Sequence, residues 1–231
     1  MALSLGSLWL RSQIQLVRPV LTRFDAKAGR MAQDKLGQLG STVLSGLVEY
    51  ETAPGWEAEQ ACWALPKEGK GGGAILYLHG GGYVAGSLAY AKLFGGMLAG
   101  RTGMPVLCTA YPLAPEHPFP AAMDTACEAY RYMLEAGIPP GSIAVAGESA
   151  GGGLTLGLIH RLREEGLPLP ACLVCLSPWT DLTRSVASIE YNARHDVSLA
   201  PQQLAYYANC YAPGRELEAQ VSPALPRFAR F

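Results

Sequence analysis

Short apolar runs that alternate with helical stretches constrain the fold of this chain more than any other feature. From residue 60 onward, the strand candidates are residues 62–65, 74–78, 106–111, 143–146 and 173–176. The helix candidates between them are residues 90–100, 121–136 and 150–164. This alternation predicts βαβ units, and therefore an α/β fold with a mostly parallel sheet and helices on both faces. In such a sheet, ligand sites lie at the carboxyl ends of the strands.

Composition supports one α/β domain and excludes several classes of partner. The 231 residues are 49% hydrophobic and 16% charged, which suits a large buried core. Net charge is −1 and the basic residues are scattered, so we expect no nucleic-acid partner and no strongly anionic membrane surface. Neither metal-ligand spacing nor a GxGxxG loop is present, and the sequence therefore predicts no metal and no cofactor.

The N-terminal segment is apolar but does not have the pattern of a membrane span or a secretory signal. Residues 1–10 are too few to cross a bilayer, and Arg11 interrupts them. With Ile14, Leu16 and Val17 the segment predicts an amphipathic helix that covers part of the protein. We therefore expect no membrane span and a cytoplasmic location.

Cys172 and Cys175 form a CxxC sequence within an apolar run. Metal or redox chemistry is one interpretation of this spacing. On a strand, however, residues three apart point to opposite faces, and no second CxxC follows. The pattern therefore favours buried structural cysteines.

Residues 147–151 read Gly-Glu-Ser-Ala-Gly, directly after one strand candidate and at the start of a helix candidate. GxSxG in this setting places serine on a sharp turn with its hydroxyl exposed, and small neighbours permit the strained backbone. The following helix directs its N-terminal N–H groups at the same point, which favours a developing oxyanion. The alternative is an ordinary glycine-rich turn.

Residues 79–83 read His-Gly-Gly-Gly-Tyr, again directly after a strand candidate. Three glycines let main-chain N–H groups approach an oxyanion with no side chain in the way. A simple glycine-rich turn is the alternative here too. Together with the GxSxG turn, the loop indicates acyl-transfer chemistry.

These two motifs resemble those of the hormone-sensitive-lipase-like family of bacterial esterases. Residues 111–122 read Tyr-Pro-Leu-Ala-Pro-Glu-His-Pro-Phe-Pro-Ala-Ala and are followed by Asp124; residues 177–181 read Ser-Pro-Trp-Thr-Asp. Both segments are similar to the family's, although Pro112 stands where an arginine is usual. The resemblance implies an α/β-hydrolase fold, with 1–55 as an N-terminal helical cap, 56–231 as an incomplete core and 182–212 as a cap insertion.

The resemblance also implies roles for individual residues. Ser149 would be the nucleophile, and the backbone N–H groups of Gly81, Gly82 and Ala150 would form the oxyanion hole. His79 would brace the glycine loop by hydrogen bonds. The residues that would support the motifs are Gly80, Gly147, Glu148 and Gly151.

A serine nucleophile needs a general base and an orienting carboxylate, in the chain order serine, acid, histidine. Only His160 and His195 follow Ser149. His160 lies about 16 Å along the predicted helix, beyond hydrogen-bond reach, and His195 with Asp196 matches a cap connection in the family. We therefore expect the catalytic acid and histidine, with the last strands, to be absent from this chain. Residues 173–176 would then form an uncharged sheet edge.

Three functions remain open from the sequence. The first is hydrolysis of short-chain or hydrophobic carboxylic esters, small-molecule substrates, through an acyl-serine intermediate. The second is cleavage of an amide, formamide or lactone at the same site. The third is a catalytically impaired remnant without its acid and histidine. The sequence leaves a homo-oligomer possible and offers no support for one.

Overall fold

The computed structural model describes residue 4, residues 26–69 and residues 72–225. The predicted amphipathic helix of residues 1–17 therefore lies almost wholly outside the described residues. The strands are β1 (Val48–Thr52), β2 (Ala61–Pro66), β3 (Ala74–Leu78), β4 (Val106–Thr109), β5 (Ile143–Glu148) and β6 (Cys172–Leu176). The helices are α1 (Ala26–Leu44), α2 (Leu88–Thr102), α3 (Ala121–Glu135), α4 (Ala150–Glu164), α5 (Ser188–Asn192) and α6 (Pro201–Tyr211), with a 3₁₀ turn at Pro140–Ser142.

The six strands form one sheet in the order β1-β2-β4-β3-β5-β6. Strands β3 to β6 are parallel to one another where they pair, whereas β1 and β2 add two antiparallel pairings at one side. Parallel strands need helical crossovers, and α2, α3 and α4 supply them. The predicted α/β fold with a mostly parallel sheet is confirmed.

Alternation along the strands divides the core between the two faces of the sheet. On β3, Leu76 and Leu78 pack with the buried residues of α3 and α4. Ile75 and Tyr77 point the other way and pack with the buried residues of α1 and α2. Since both faces are covered, β3 is buried along its whole length, as expected of a central parallel strand.

The sequence analysis missed β1. This strand belongs to the sheet, yet it lies inside the segment 1–55 that was assigned to a helical cap. Smaller differences concern boundaries: α2 begins at Leu88 because the Ser87 hydroxyl accepts a hydrogen bond from the Tyr90 amide, 3.4 Å away. Strand β4 ends at Thr109 rather than at residue 111.

Strand β6 lies at the edge of the sheet, where the sequence analysis placed it. Its cysteines do point to opposite faces, but the expectation that both are buried was wrong. Cys172 is exposed and Cys175 is half-buried, because an edge strand has a neighbour on one side only. Val174 is likewise 43% exposed. Within the described residues, none of the helices is both long enough and apolar enough to cross a lipid bilayer.

Candidate active site

Ser149 occupies the single-residue turn between β5 and α4. Its backbone has φ 54° and ψ −121°, a conformation that costs a residue with a side chain about 1–3 kcal/mol and persists only where the surroundings fix it. Two hydrogen bonds fix it here. The Ser149 amide donates to the Leu176 carbonyl at 3.0 Å, and the Trp179 amide donates to the Ser149 carbonyl at 2.8 Å. The end of β6 thus holds the turn in its strained form.

The turn is possible only because the residues two positions before and after Ser149, Gly147 and Gly151, have no side chains. A Cβ on Gly147 would lie 2.3 Å from the Gly151 carbonyl oxygen. A Cβ on Gly151 would lie 2.1 Å from the Leu78 carbonyl oxygen and 2.4 Å from that of His79. The first turn of α4 is therefore packed directly against the end of β3, where the glycine loop begins.

The glycine loop, residues 79–83, follows β3 and runs beside the serine turn. Gly81 has φ 119° and Gly82 has φ 63°, both in the region that favours glycine. Gly82 is covered by the ring of Tyr207 on α6, which lies 2.6 Å from the position of a Cβ at Gly82. Helix α6 thus forms one wall above the loop.

His79 is fully buried, and its side chain contacts the glycine loop rather than solvent. Its Nδ1 donates to the Gly80 carbonyl at 2.7 Å. Its ring stacks on Tyr111 with the centroids 4.1 Å apart, and the Tyr111 hydroxyl donates to the His79 carbonyl at 2.7 Å. Burial lowers the pKa of His79 to about 4, against a smaller opposing effect of the hydrogen bond to Gly80. The imidazole is therefore neutral at physiological pH.

Glu148, the residue before Ser149, connects the serine turn to the glycine loop. Its Oε1 accepts a hydrogen bond from the Gly80 amide at 2.6 Å, and its Oε2 accepts one from the Tyr77 hydroxyl at 2.5 Å. Burial raises the pKa of Glu148, and these hydrogen bonds oppose that rise. Tyr77 belongs to none of the motifs, and its part in the site could not be found from the sequence.

The three histidines outside the glycine loop lie on three separate segments. His160 is half-buried within α4, so the helix from which its separation from Ser149 was predicted is present in the structure. His195 is exposed and accepts a hydrogen bond from Arg194 Nε at 3.1 Å. His117 is exposed in the loop before α3. Asp196 Oδ1 accepts hydrogen bonds from the Ser198 and Leu199 amides, as a turn-capping carboxylate does.

Polar clusters elsewhere do not add a metal centre to the described part of the chain. Across residues 26–69 and 72–225, no group of three or more His, Cys, Asp and Glu side chains could hold a metal ion.

Comparison with known proteins agrees with this geometry. A family model described as the α/β-hydrolase fold matches residues 75–229. The acetyl-hydrolase of Streptomyces hygroscopicus is 40% identical over 154 residues, which cover 67% of this chain and 51% of the relative. The chain thus spans about half the length of the curated relatives it matches.

Solved structures extend the likeness to almost the whole chain. The crystal structure of EstE5 soaked with ethyl alcohol matches with a TM-score of 0.87 and 31% identity, over 96% of this chain and 74% of that one. An esterase of the bacterial hormone-sensitive lipase family matches with a TM-score of 0.81 and 34% identity, over the same shares. The chain therefore belongs to the α/β-hydrolase-fold family and, within it, to the bacterial hormone-sensitive lipase family.

Proposed function

We propose that Ser149 is the nucleophile of a carboxylic ester hydrolase that works through an acyl-serine intermediate. The observation that carries the proposal is the packing of the strained serine turn against the glycine loop. Because Gly151 touches the carbonyl groups at the end of β3, the Ser149 hydroxyl and the loop are held on one side of the sheet. A nucleophile and a set of amide donors on one side suit addition to an ester carbonyl.

In the proposed reaction, Ser149 Oγ adds to the acyl carbon and the carbonyl oxygen becomes an oxyanion. The N–H groups of Gly81, Gly82 and Ala150 would donate to that oxygen. The Ala150 amide lies at the N-terminus of α4, where the helix dipole adds to the stabilisation of negative charge. Collapse of the adduct releases the alcohol and leaves the acyl group on Ser149, and water then releases the acid.

The proton of Ser149 must pass to a general base for this reaction to be fast. We assign His79 to the loop and not to this role, since its Nδ1 is bonded to the Gly80 carbonyl and its ring is enclosed. His117 and His195 are exposed on other segments. We therefore assign the nucleophile and the oxyanion donors but no general base. The decisive measurement is the rate at which the 231-residue chain itself turns over an ester.

The substrate class is proposed as short acyl esters, supported by the acetyl-hydrolase relative named above. Amides, formamides and lactones could use the same serine and donors. A chain that binds esters without turning them over is the further alternative.

The test compares the 231-residue chain with its Ser149→Ala variant on p-nitrophenyl acetate, p-nitrophenyl butyrate and p-nitroacetanilide. We expect hydrolysis of the esters above the Ser149→Ala background, together with an acetyl group on the peptide that contains Ser149 by mass spectrometry. Faster release from the anilide would favour the amide alternative. Equal rates for the two proteins, with no acetylated Ser149, would contradict ester hydrolysis by this chain.

A further inference from the structure

Between the serine turn and the glycine loop lies a buried hydrogen-bonded chain that begins outside both motifs. We infer that Tyr77 is a positioning residue: acting through the Glu148 carboxylate, it fixes the Gly80 amide and thereby the direction of the N–H groups in the glycine loop. This inference rests on the proposed function for its catalytic consequence, but its structural content can be tested separately.

The Glu148 carboxylate uses both of its oxygens. Oε1 is held by the Gly80 amide at 2.6 Å and Oε2 by the Tyr77 hydroxyl at 2.5 Å. Hydrogen bonds to an ionised carboxylate are shorter and stronger than neutral ones, and two bonds at opposite oxygens prevent rotation of the group. Because Glu148 precedes Ser149 directly, the same residue ties the nucleophile's backbone to the loop.

Gly80 is packed closely against Glu148, so the orientation of the Glu148 side chain determines the position of the Gly80 amide. A Cβ on Gly80 would lie 2.8 Å from the Glu148 carbonyl oxygen and 2.9 Å from its Oε1. The loop is thus in contact with both the main chain and the side chain of Glu148. A carboxylate that rotated would release the amide, and the peptide planes that follow Gly80 would be free to turn.

Tyr77 is suited to hold the Glu148 carboxylate because packing fixes its own side chain. Tyr77 is 1% exposed and is the penultimate residue of the central strand β3. Its ring stacks on Phe94 of α2, with the centroids 6.2 Å apart and the planes 19° apart. Burial and the nearby Glu148 charge raise the pKa of Tyr77, so its hydroxyl stays protonated and donates.

Tyr90 of α2 is a second hydroxyl neighbour of the same carboxylate and adds to the hydrogen bonds that favour its charged form. Its ring is buried and contacts the rings of Phe94 and His79 edge-on, with centroids 5.5 and 6.3 Å away. We test Tyr77 rather than Tyr90, because the Tyr77 hydroxyl donates a hydrogen bond of 2.5 Å to Glu148 Oε2.

The experiment uses a property of the sequence: Gly80 is the only glycine that follows a histidine. Labelling with ¹³C-carbonyl histidine and ¹⁵N-glycine therefore yields one amide signal in a carbonyl-selected spectrum, that of Gly80. Its hydrogen exchange is measured in the wild-type chain and in Tyr77→Phe, Glu148→Gln and Tyr130→Phe. Tyr130 is the matched control, a fully buried tyrosine whose hydroxyl donates to the Pro168 carbonyl at 2.9 Å.

We expect Tyr77→Phe and Glu148→Gln to exchange the Gly80 proton about tenfold faster than wild type, as loss of a bond to a charged group implies. Tyr130→Phe should stay within about twofold, since its bond lies on the other face of the sheet. A rate in Tyr77→Phe equal to wild type would overturn the inference. Equal acceleration in Tyr77→Phe and Tyr130→Phe would overturn it too, because it would show general loss of stability.

Where the chain turns over p-nitrophenyl acetate, Tyr77→Phe should lower kcat about tenfold and leave KM within about twofold, since oriented donors act on the transition state. An unchanged kcat would refute the catalytic consequence. If the wild-type chain shows no turnover, the proposed function fails for this chain, and the exchange rate of Gly80 still decides the positioning role.

Discussion

Replacement of Gly151 by alanine tests the packing on which the site depends. The new Cβ would lie 2.1 Å from the Leu78 carbonyl oxygen and 2.4 Å from the His79 carbonyl oxygen. Unstrained contacts of carbon with a heavy atom are roughly 3.5 Å. The first turn of α4 and the end of β3 would therefore have to separate by about 1 Å. Both obstacles are backbone atoms, one at the end of β3 and one at the start of the glycine loop, so no side chain can rotate to relieve the clash.

The expected cost follows from two opposing effects. Overpacking of a rigid interior destabilises a protein by about 1–3 kcal/mol. Alanine is favoured over glycine in a helix by about 1 kcal/mol, which offsets part of that cost. We therefore expect Gly151→Ala to lower the free energy of unfolding by about 1 kcal/mol, and by no more than about 2 kcal/mol. If the chain hydrolyses esters, a displacement of about 1 Å at the donors should also lower kcat/KM about 100-fold.

Urea unfolding followed by tryptophan fluorescence measures the stability change. The matched control is Gly141→Ala in the 3₁₀ turn Pro140–Ser142, where no described atom lies within 4 Å of the position of a Cβ. That variant should unfold as the wild type does. If Gly151→Ala matched the Gly141→Ala variant in stability, the close contact between α4 and β3 would be disproved.

Three further predictions concern charge and the sheet edge. Because the pKa of His79 is about 4, the unfolded chain takes up a proton first as the pH falls. The stability that this group contributes is therefore complete above about pH 7, falls by about 2 kcal/mol between about pH 7 and pH 5, and falls further towards pH 4; the free energy of unfolding of His79→Gln should not show this titration. Arg30 Nη1 and Nη2 bind the Glu116 carboxylate at 2.9 and 2.7 Å and hold its pKa at about 2, so this anchor of α1 is present above about pH 4.5 and is lost as the pH falls towards 2. Arg30→Lys, which cannot bind in a bidentate manner, should speed amide exchange in α1 at neutral pH, and unchanged exchange would contradict this. On the edge strand, Val174→Lys should reduce light scattering on heating relative to Val174→Thr, and equal scattering of the two would show that β6 does not drive association.

The strands that the sequence predicted best are those buried on both faces. Residues 74–78 and 143–146 are continuous apolar runs, and helices cover both of their faces in the structure. Strand β1 was missed for the opposite physical reason. It is a five-residue edge strand in which Glu49 and Glu51 alternate with Val48 and Tyr50, so it contains no continuous apolar run of the kind that marked the buried strands. Cys172 was misjudged because its apolar run indicated burial on both faces, whereas the face of β6 that carries Cys172 and Val174 is exposed.

The site divides in the same way between local and distant determinants. The serine turn and the glycine loop are each encoded by adjacent residues, and their motifs identified them. The hydrogen bonds that join them connect Glu148 to residues 71 and 68 positions away, Tyr77 and Gly80. Contacts at that separation arise from strand pairing, and the side chains involved carry no local pattern that marks them.

The register of β3 against β5 explains how two local motifs become one site. Leu78 pairs with Gly147 in the parallel ladder. Gly80 comes two residues after Leu78, and Ser149 comes two residues after Gly147. Tyr77 pairs with Ala146 on the face that packs against α1 and α2, and Glu148 points to that same face two residues later. A slip of one residue would turn Glu148 to the other face and separate it from Tyr77. The packing of β3 and β5 into the core on both faces of the sheet, which holds this register, therefore also holds the proposed nucleophile close to its oxyanion donors.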